Sequence, residues 1–169
     1  MMQHTTIDTP AGPFTYVVSD AGAVRASGFT AEPDELLPLI HSGLRGPTRP
    51  AATPGPVGDA VRSYLDGDLT AVDDVVVEQH TGGAFLGHAW RVMRDIKPGH
   101  PVTYTGFAEL AGRPAAVRAA ATACARNAAA LFVPCHRVLG TDGTLRGYRW
   151  GLGVKTWLLE HEQGRSIPT

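Results

Sequence analysis

Cysteine is scarce in this 169-residue chain: Cys124 and Cys135 stand eleven positions apart, and there is no CxxC pair. That excludes a disulfide-stapled scaffold and argues against a structural zinc site. No disulfide between the two is expected in a reducing compartment. Long apolar runs are missing as well. No stretch approaches the ~20 residues that span a bilayer, so no membrane partner is expected. The opening MMQHTTIDTP lacks the basic-then-apolar pattern of a secretory signal, which points to a cytoplasmic protein. Net charge is nearly absent, −1 formally, so the molecule is not a polycation and any contact with nucleic acid requires a local basic face.

What is present is ordinary for a globular protein: 43% hydrophobic and 18% charged residues, enough chain for one large or two small domains. Charge is uneven. Between Gly87 and Arg149 the basic residues clearly outnumber the acids, while the first eighty residues hold most of the acids. Residues 5–30 read as β structure, with a strand over 15–18, a turn at 20–22 and a return strand over 24–29. A helix is expected over 31–41, weakened by Pro38, then a Gly/Pro-rich loop over 42–56, a helix over 57–65 and a strand over 72–77. A second unit begins near Gly82, giving domains at 1–80 and 81–169. Its first helix spans 85–96 by apolar spacing and stops at Lys97-Pro98-Gly99. Thr103 is placed to cap a helix over 104–111, Gly112-Arg113-Pro114 makes a turn, and an Ala-rich helix runs over 115–125. Two short helices across a Gly-containing turn form a helix-turn-helix pattern. A short buried strand over 131–133 leads into Pro134-Cys135-His136-Arg137, Thr141-Asp142-Gly143 makes a turn, and a last helix over 153–162 puts Val154, Trp157, Leu158 and His161 on one side.

Cys135 is the residue most suited to covalent chemistry. A thiol attacks as thiolate, which requires a proton acceptor or positive charge nearby. His136 adjoins it, Arg137 adds charge, and a carboxylate to orient the imidazole is available at Glu160 or Glu162. Cys124, inside the Ala-rich helix, reads as core. On these residues alone several readings stay open: an inert core cysteine, a thiol hydrolase, a redox sensor, or a helix-turn-helix regulator that senses electrophiles.

The segments VPCHRV (133–138), TYTGFAELAG-RP-AAVRAAATACARN (103–127) and GYRWGLGVKTWLLEHE (147–162), with a weaker match over the opening TIDTPAGPFTYVVSDAGAV, resemble the O6-alkylguanine-DNA alkyltransferases, and among them most closely the C-terminal domain of the bacterial Ada protein. The resemblance implies an α/β protein with a small ribonuclease-H-like N-terminal domain and a helical, winged-helix-like C-terminal domain. It implies single-turnover transfer of the alkyl group of O6-alkylguanine, and of O4-methylthymine, in double-stranded DNA. The chain is expected to act as a monomer without cofactor or metal. By the same resemblance Cys135 is the alkyl acceptor, His136 with a water its base, and Glu162 the group that orients His136. Asn127 is the hinge residue, and Tyr104 helps rotate the nucleotide and donates a proton to the departing guanine. Arg118 fills the gap in the base stack, and Thr105, Ala119 and Arg126 join Tyr104 and Arg118 at the DNA. Val138, Tyr148 and Trp150 line the guanine pocket. Four residues depart from the common pattern: Ala128 replaces a Pro after the hinge, Thr105 replaces a Gln, and Arg149-Trp150, which Ada-type proteins share, replace the small residues of some other members, so that Trp150 is expected to narrow the pocket mouth. The alternatives are a non-catalytic lesion binder, which Cys135 argues against, and a Cys-His hydrolase.

Overall fold

A computed structural model describes residues 1–79 and 83–164. The fold is mixed α/β, and the chain separates into two compact units: Met1–His80 with Ala128–Phe132, and Thr81–Asn127 with Val133–Thr169.

The first unit is built on a four-stranded sheet with strands β1 (Met2–Thr9), β2 (Gly12–Val18), β3 (Val24–Gly28) and β4 (Thr48–Pro50). Their order is β3-β2-β1-β4. The first three form an antiparallel meander, and β4 runs parallel to β1. Strand β2 reads as a continuous buried run from Phe14 to Val17 because both its faces are covered. Phe14 packs against Phe29 at 4.8 Å and Phe132 at 6.0 Å between ring centroids. Helix α1 (Gly55–Leu65) buries Val57, Val61 and Tyr64, and the Tyr16 hydroxyl donates to the Pro54 carbonyl at 2.6 Å. Gly58 permits that approach: a Cβ there would lie 2.6 Å from the Tyr16 hydroxyl.

Three sequence expectations fail, each for a local reason. The helix over 31–41 is instead two 3-10 turns, Pro33–Glu35 and Leu37–Leu39. Pro38 has no amide hydrogen, and its ring would clash with the carbonyl four residues back. The strand over 72–77 shrinks to a single bridge from Val77 to Val24, since Asp73 and Asp74 lie in a turn. Residues 131–133 form a turn in place of a strand, and Leu131 takes a positive φ of 78°. Strand β4, in turn, lies inside the expected loop over 42–56, too short to leave a pattern. The free edge of β3 is closed by two segments. Val76 and Glu78 hydrogen-bond the backbone of Val24, and Ala128 and Ala130 that of Ser27. The Ser27 hydroxyl also donates to the Ala130 carbonyl at 2.7 Å, and the Gln79 side chain accepts from the Ala128 amide.

The second unit holds α2 (Ala84–Arg94), β5 (Val102–Thr103), α3 (Tyr104–Leu110), α4 (Val117–Ala125), β6 (Val138–Leu139) and α5 (Leu152–Gln163). Thr103 caps α3, its hydroxyl accepting from the Gly106 amide at 3.0 Å. Helices α3 and α4 form the helix-turn-helix, α4 beginning two residues later than its sequence suggests. Ala120 and Ala123 are the buried side of α4, and Trp90 of α2 donates its indole hydrogen to the Ala123 carbonyl at 2.9 Å. The two short strands β5 and β6 pair in parallel and bring the segment after Cys135 beside the start of α3.

Candidate active site

Cys135 lies on a single 3-10 turn, Cys135–Arg137, that opens where Pro134 ends the preceding turn and β6 takes over. The turn points consecutive side chains in different directions, and the structure uses all three. Cys135 is partly exposed, whereas His136 and Arg137 are buried.

His136 Nε2 meets Glu162 Oε2 at 2.8 Å, both side chains fully buried. Arg137 holds the same carboxylate from the other side, Nε to Oε1 at 2.8 Å and a terminal nitrogen to Oε2 at 2.9 Å. Its other terminal nitrogen donates to the Ile96 carbonyl at 2.7 Å. The expectation that Arg137 lends its charge to the thiol is therefore corrected: the guanidinium is committed to Glu162, a two-pronged pairing that suits its planar fork. Burial alone would raise the Glu162 pKa, but His136 and Arg137 together hold it well below the carboxylate range. The histidine is pushed the other way. Burial lowers its pKa, with Glu162 partly opposing, so the imidazole is neutral near pH 7. An ionised carboxylate only accepts, so Nε2 carries the hydrogen and Nδ1 is left with a lone pair. Nδ1 is buried and has no hydrogen-bond partner among the described residues.

Around the thiol, burial pushes the Cys135 pKa up, and three side chains oppose it, a hydrogen bond from Asn127 and then the charges of Lys155 and Arg149, together with a backbone hydrogen bond. Asn127 is buried at the end of α4 and also donates to the Val133 carbonyl at 2.7 Å, so it ties both sides of the turn over 128–132. Lys155 was not anticipated from sequence. It is buried at 1% exposure on α5, its ammonium donating to the Val138 carbonyl at 2.8 Å and the Arg146 carbonyl at 3.4 Å. Desolvation lowers its pKa while the two thiols oppose that. The sequence signal for it is positional: Lys155, Leu158, Leu159 and Glu162 form the buried stripe of α5, one residue out of phase with the expected side of Val154, Trp157, Leu158 and His161. Trp157 and His161 instead stack on each other at 4.7 Å, half-buried.

Tyr104 opens α3, half-buried, with its pKa raised by desolvation and by Cys124 and Cys135. The Tyr148 hydroxyl is buried without a partner among the described residues, and desolvation together with Cys135 and Glu162 raises its pKa well above the usual range. Val138 is fully buried beside the turn. Cys124 joins the cluster from α4, with desolvation and the neighbouring Cys135 pushing its pKa strongly upward, which disfavours its thiolate. The remaining expected residues lie outward. Arg118 and Arg126 are exposed on and beyond α4, Ala119 is half-buried between them, and Thr105 is half-buried at the start of α3 with a 3.4 Å contact to Thr141. Trp150 is half-buried on a turn closed by the Gly151 amide donating to the Tyr148 carbonyl at 3.0 Å. Gly151 has φ 104°, a conformation side chains disfavour. Among the described residues no group of three His, Cys, Asp or Glu is arranged to hold a metal ion, and no helix is long and apolar enough to cross a membrane.

A partly exposed thiol, a neutral imidazole, a buried carboxylate and a helix-turn-helix with one exposed side thus meet in one unit. Residues 84–164 match the family model described as the 6-O-methylguanine DNA methyltransferase, DNA binding domain. The methylated-DNA–protein-cysteine methyltransferase of Shigella flexneri is 37% identical over 160 residues, 92% of each chain. The bifunctional transcriptional activator and DNA repair enzyme Ada of Escherichia coli is 49% identical over 81 residues, 48% of this chain and 23% of Ada. The crystal structure of the Mycobacterium tuberculosis OGT protein in complex with DNA superposes with a TM-score of 0.79 at 29% identity, covering 97% of this chain and 94% of that one.

Proposed function

The chain belongs to the methylated-DNA–protein-cysteine methyltransferase family, and on that premise we propose how its own residues repair alkylated DNA. The reaction moves an alkyl group from a DNA base to a protein cysteine, and we assign the acceptor to Cys135. His136 Nδ1, or a water held on it, takes the thiol proton. The thiolate sulfur attacks the alkyl carbon on O6 of guanine, the carbon–oxygen bond breaks, and the departing guanine takes a proton from the Tyr104 hydroxyl. Glu162 holds His136 in the tautomer this requires and stabilises the imidazolium that forms. The observation that carries the assignment is the buried His136–Glu162 hydrogen bond, which leaves Nδ1 as the open acceptor one residue from the thiol. Asn127, Lys155 and Arg149 favour the thiolate.

A base inside a duplex cannot reach such a thiol, so the nucleotide is turned out at a cost of a few kcal/mol. In this reading Arg118 fills the vacancy, Thr105, Ala119 and Arg126 flank it, and the base enters beside Val138, Tyr148 and Trp150. Trp150 restricts the pocket to small adducts on guanine O6 and thymine O4. The sheet order, with its antiparallel meander and parallel fourth strand, supports a ribonuclease-H-like first domain over 1–80. The β5–β6 pair beside the helix-turn-helix supports a winged-helix-like domain over 81–169. The protein acts as a monomer without cofactor.

The test is mass spectrometry after incubation with duplex DNA containing O6-methylguanine. One methyl group should appear per protein, on Cys135, with a plateau at that stoichiometry and no effect of EDTA. A methyl thioether is too stable for water to displace, and Cys135→Ala should bind the DNA yet gain no mass. Sustained turnover, or methylation at another residue, contradicts the assignment.

A further inference from the structure

Arg149 sits at the tip of the Tyr148–Gly151 turn, exposed, and one of its terminal nitrogens donates to the Ala125 carbonyl. That carbonyl is one of those the last turn of α4 leaves without a helical partner, and α4 has no basic residue there of its own. A guanidinium suits such a helix end in both hydrogen bonding and charge. The opposite root of the same segment is held from within, where Lys155 bridges the Arg146 and Val138 carbonyls. Between these two fastenings stands Tyr148, whose hydroxyl is buried without a hydrogen-bond partner among the described residues and lies within electrostatic reach of Cys135.

We propose that Arg149 is a positioning residue for alkyl transfer: it fastens the turn over 148–151 to the end of α4, which sets Tyr148 in the pocket and keeps a positive charge beside Cys135. The inference rests on Cys135 being the acceptor. One hydrogen bond thus joins the end of α4 to the turn that carries Tyr148 and Trp150. Arg149 is also the exposed member of the two cations that favour the thiolate, Lys155 being the buried one. The groups facing the thiol are Asn127 at the end of α4, Cys124 on α4, Tyr104 on α3, Lys155 on α5, and Tyr148 and Arg149 on the turn. His136 follows it in the chain, with Glu162 and Arg137 behind.

Arg149→Gln and Arg149→Lys decide the matter. Single-turnover transfer is measured from methylated duplex and from free O6-methylguanine base, and the pH dependence of Cys135 alkylation by iodoacetamide is followed without DNA. Arg149→Gln should slow both substrates together by roughly two- to fivefold, the range of one partly exposed charge interaction. It should also move the iodoacetamide profile to higher pH. Arg149→Lys, which keeps the charge, should return that profile towards the wild type. Loss on duplex alone, with an unmoved profile and a shallower salt dependence, would make Arg149 a phosphate contact and overturn the proposal; so would unchanged rates on both substrates. Failure of the wild-type protein to methylate Cys135 would show in the same assay and refute the underlying assignment before any variant is compared.

Discussion

His136 and Glu162 form a buried pair in which burial sets the protonation of the histidine and hydrogen-bonding partners that of the carboxylate. Glu162 stays ionised because the Arg137 guanidinium and the His136 N–H both hold it, and His136 stays neutral because a buried imidazolium would cost more than one carboxylate returns. Both shifts are downward, so both contribute stability that is full above the unfolded values and is lost on acidification. The loss begins near the ordinary histidine pKa of 6.5 and continues below the carboxylate range. Glu162→Gln removes the charge that supports His136 as a base. Transfer at neutral pH should fall at least about tenfold, and the pH–rate profile should move upward, since a weaker base yields thiolate only at higher pH. Glu160→Gln, on the same helix but away from His136, should leave the profile in place. The reverse outcome, read from single-turnover rates at several pH values, would reassign the carboxylate. Glu162→Gln also leaves Arg137 short of a buried partner, at a cost of about 3–5 kcal/mol, so the rates belong below its lowered melting point.

At the scale of elements, the helix-turn-helix was the most legible part of the chain. The Thr103 cap, the turn at 112–114 and the alanine run each follow from local chemistry, and the structure places α3 and α4 within two residues of the expected bounds. The strand pair β5–β6 was not legible, because two residues leave no alternation to see. Helix α5 was found, but its inward face was misjudged by one residue, since that face carries Lys155 and Glu162 and an apolar count points elsewhere. Polarity misleads at an active site for a physical reason: ionisable groups are buried there in pairs that only the tertiary structure reveals. The exposed face of α4 supports a prediction of its own. Arg118→Ala should slow transfer from duplex DNA by about tenfold for each 1.4 kcal/mol of unstacking it ceases to offset. Reaction with the free base should hardly change, and the salt slope of DNA binding should move by about one counterion. Equal losses on both substrates would return Arg118 to a structural role.

For the whole molecule, net charge said little, since most of the acids gather in the first half and most of the basic residues in the second, Arg113, Arg118, Arg126 and Arg149 exposed among them. The sequence division near residue 80 is simple, whereas the folded chain is not divided so simply. It leaves the second unit after Asn127, contributes Ala128–Phe132 to the first, and returns at Val133 two residues before Cys135. That excursion turns on Leu131, a bulky residue at positive φ that persists only where its surroundings hold it. The gene therefore cannot be cut once to give two self-sufficient proteins. A polypeptide of residues 81–169 would carry Ala128 and Ala130 without Ser27 and Gln79, and Phe132 without Phe14. Such a fragment should melt well below the intact chain and methylate poorly, and adding the separately produced 1–80 polypeptide should restore activity by complementation. Calorimetry of the fragment with and without its counterpart reads this directly, and a fragment as stable as the parent would mean the excursion is ornamental.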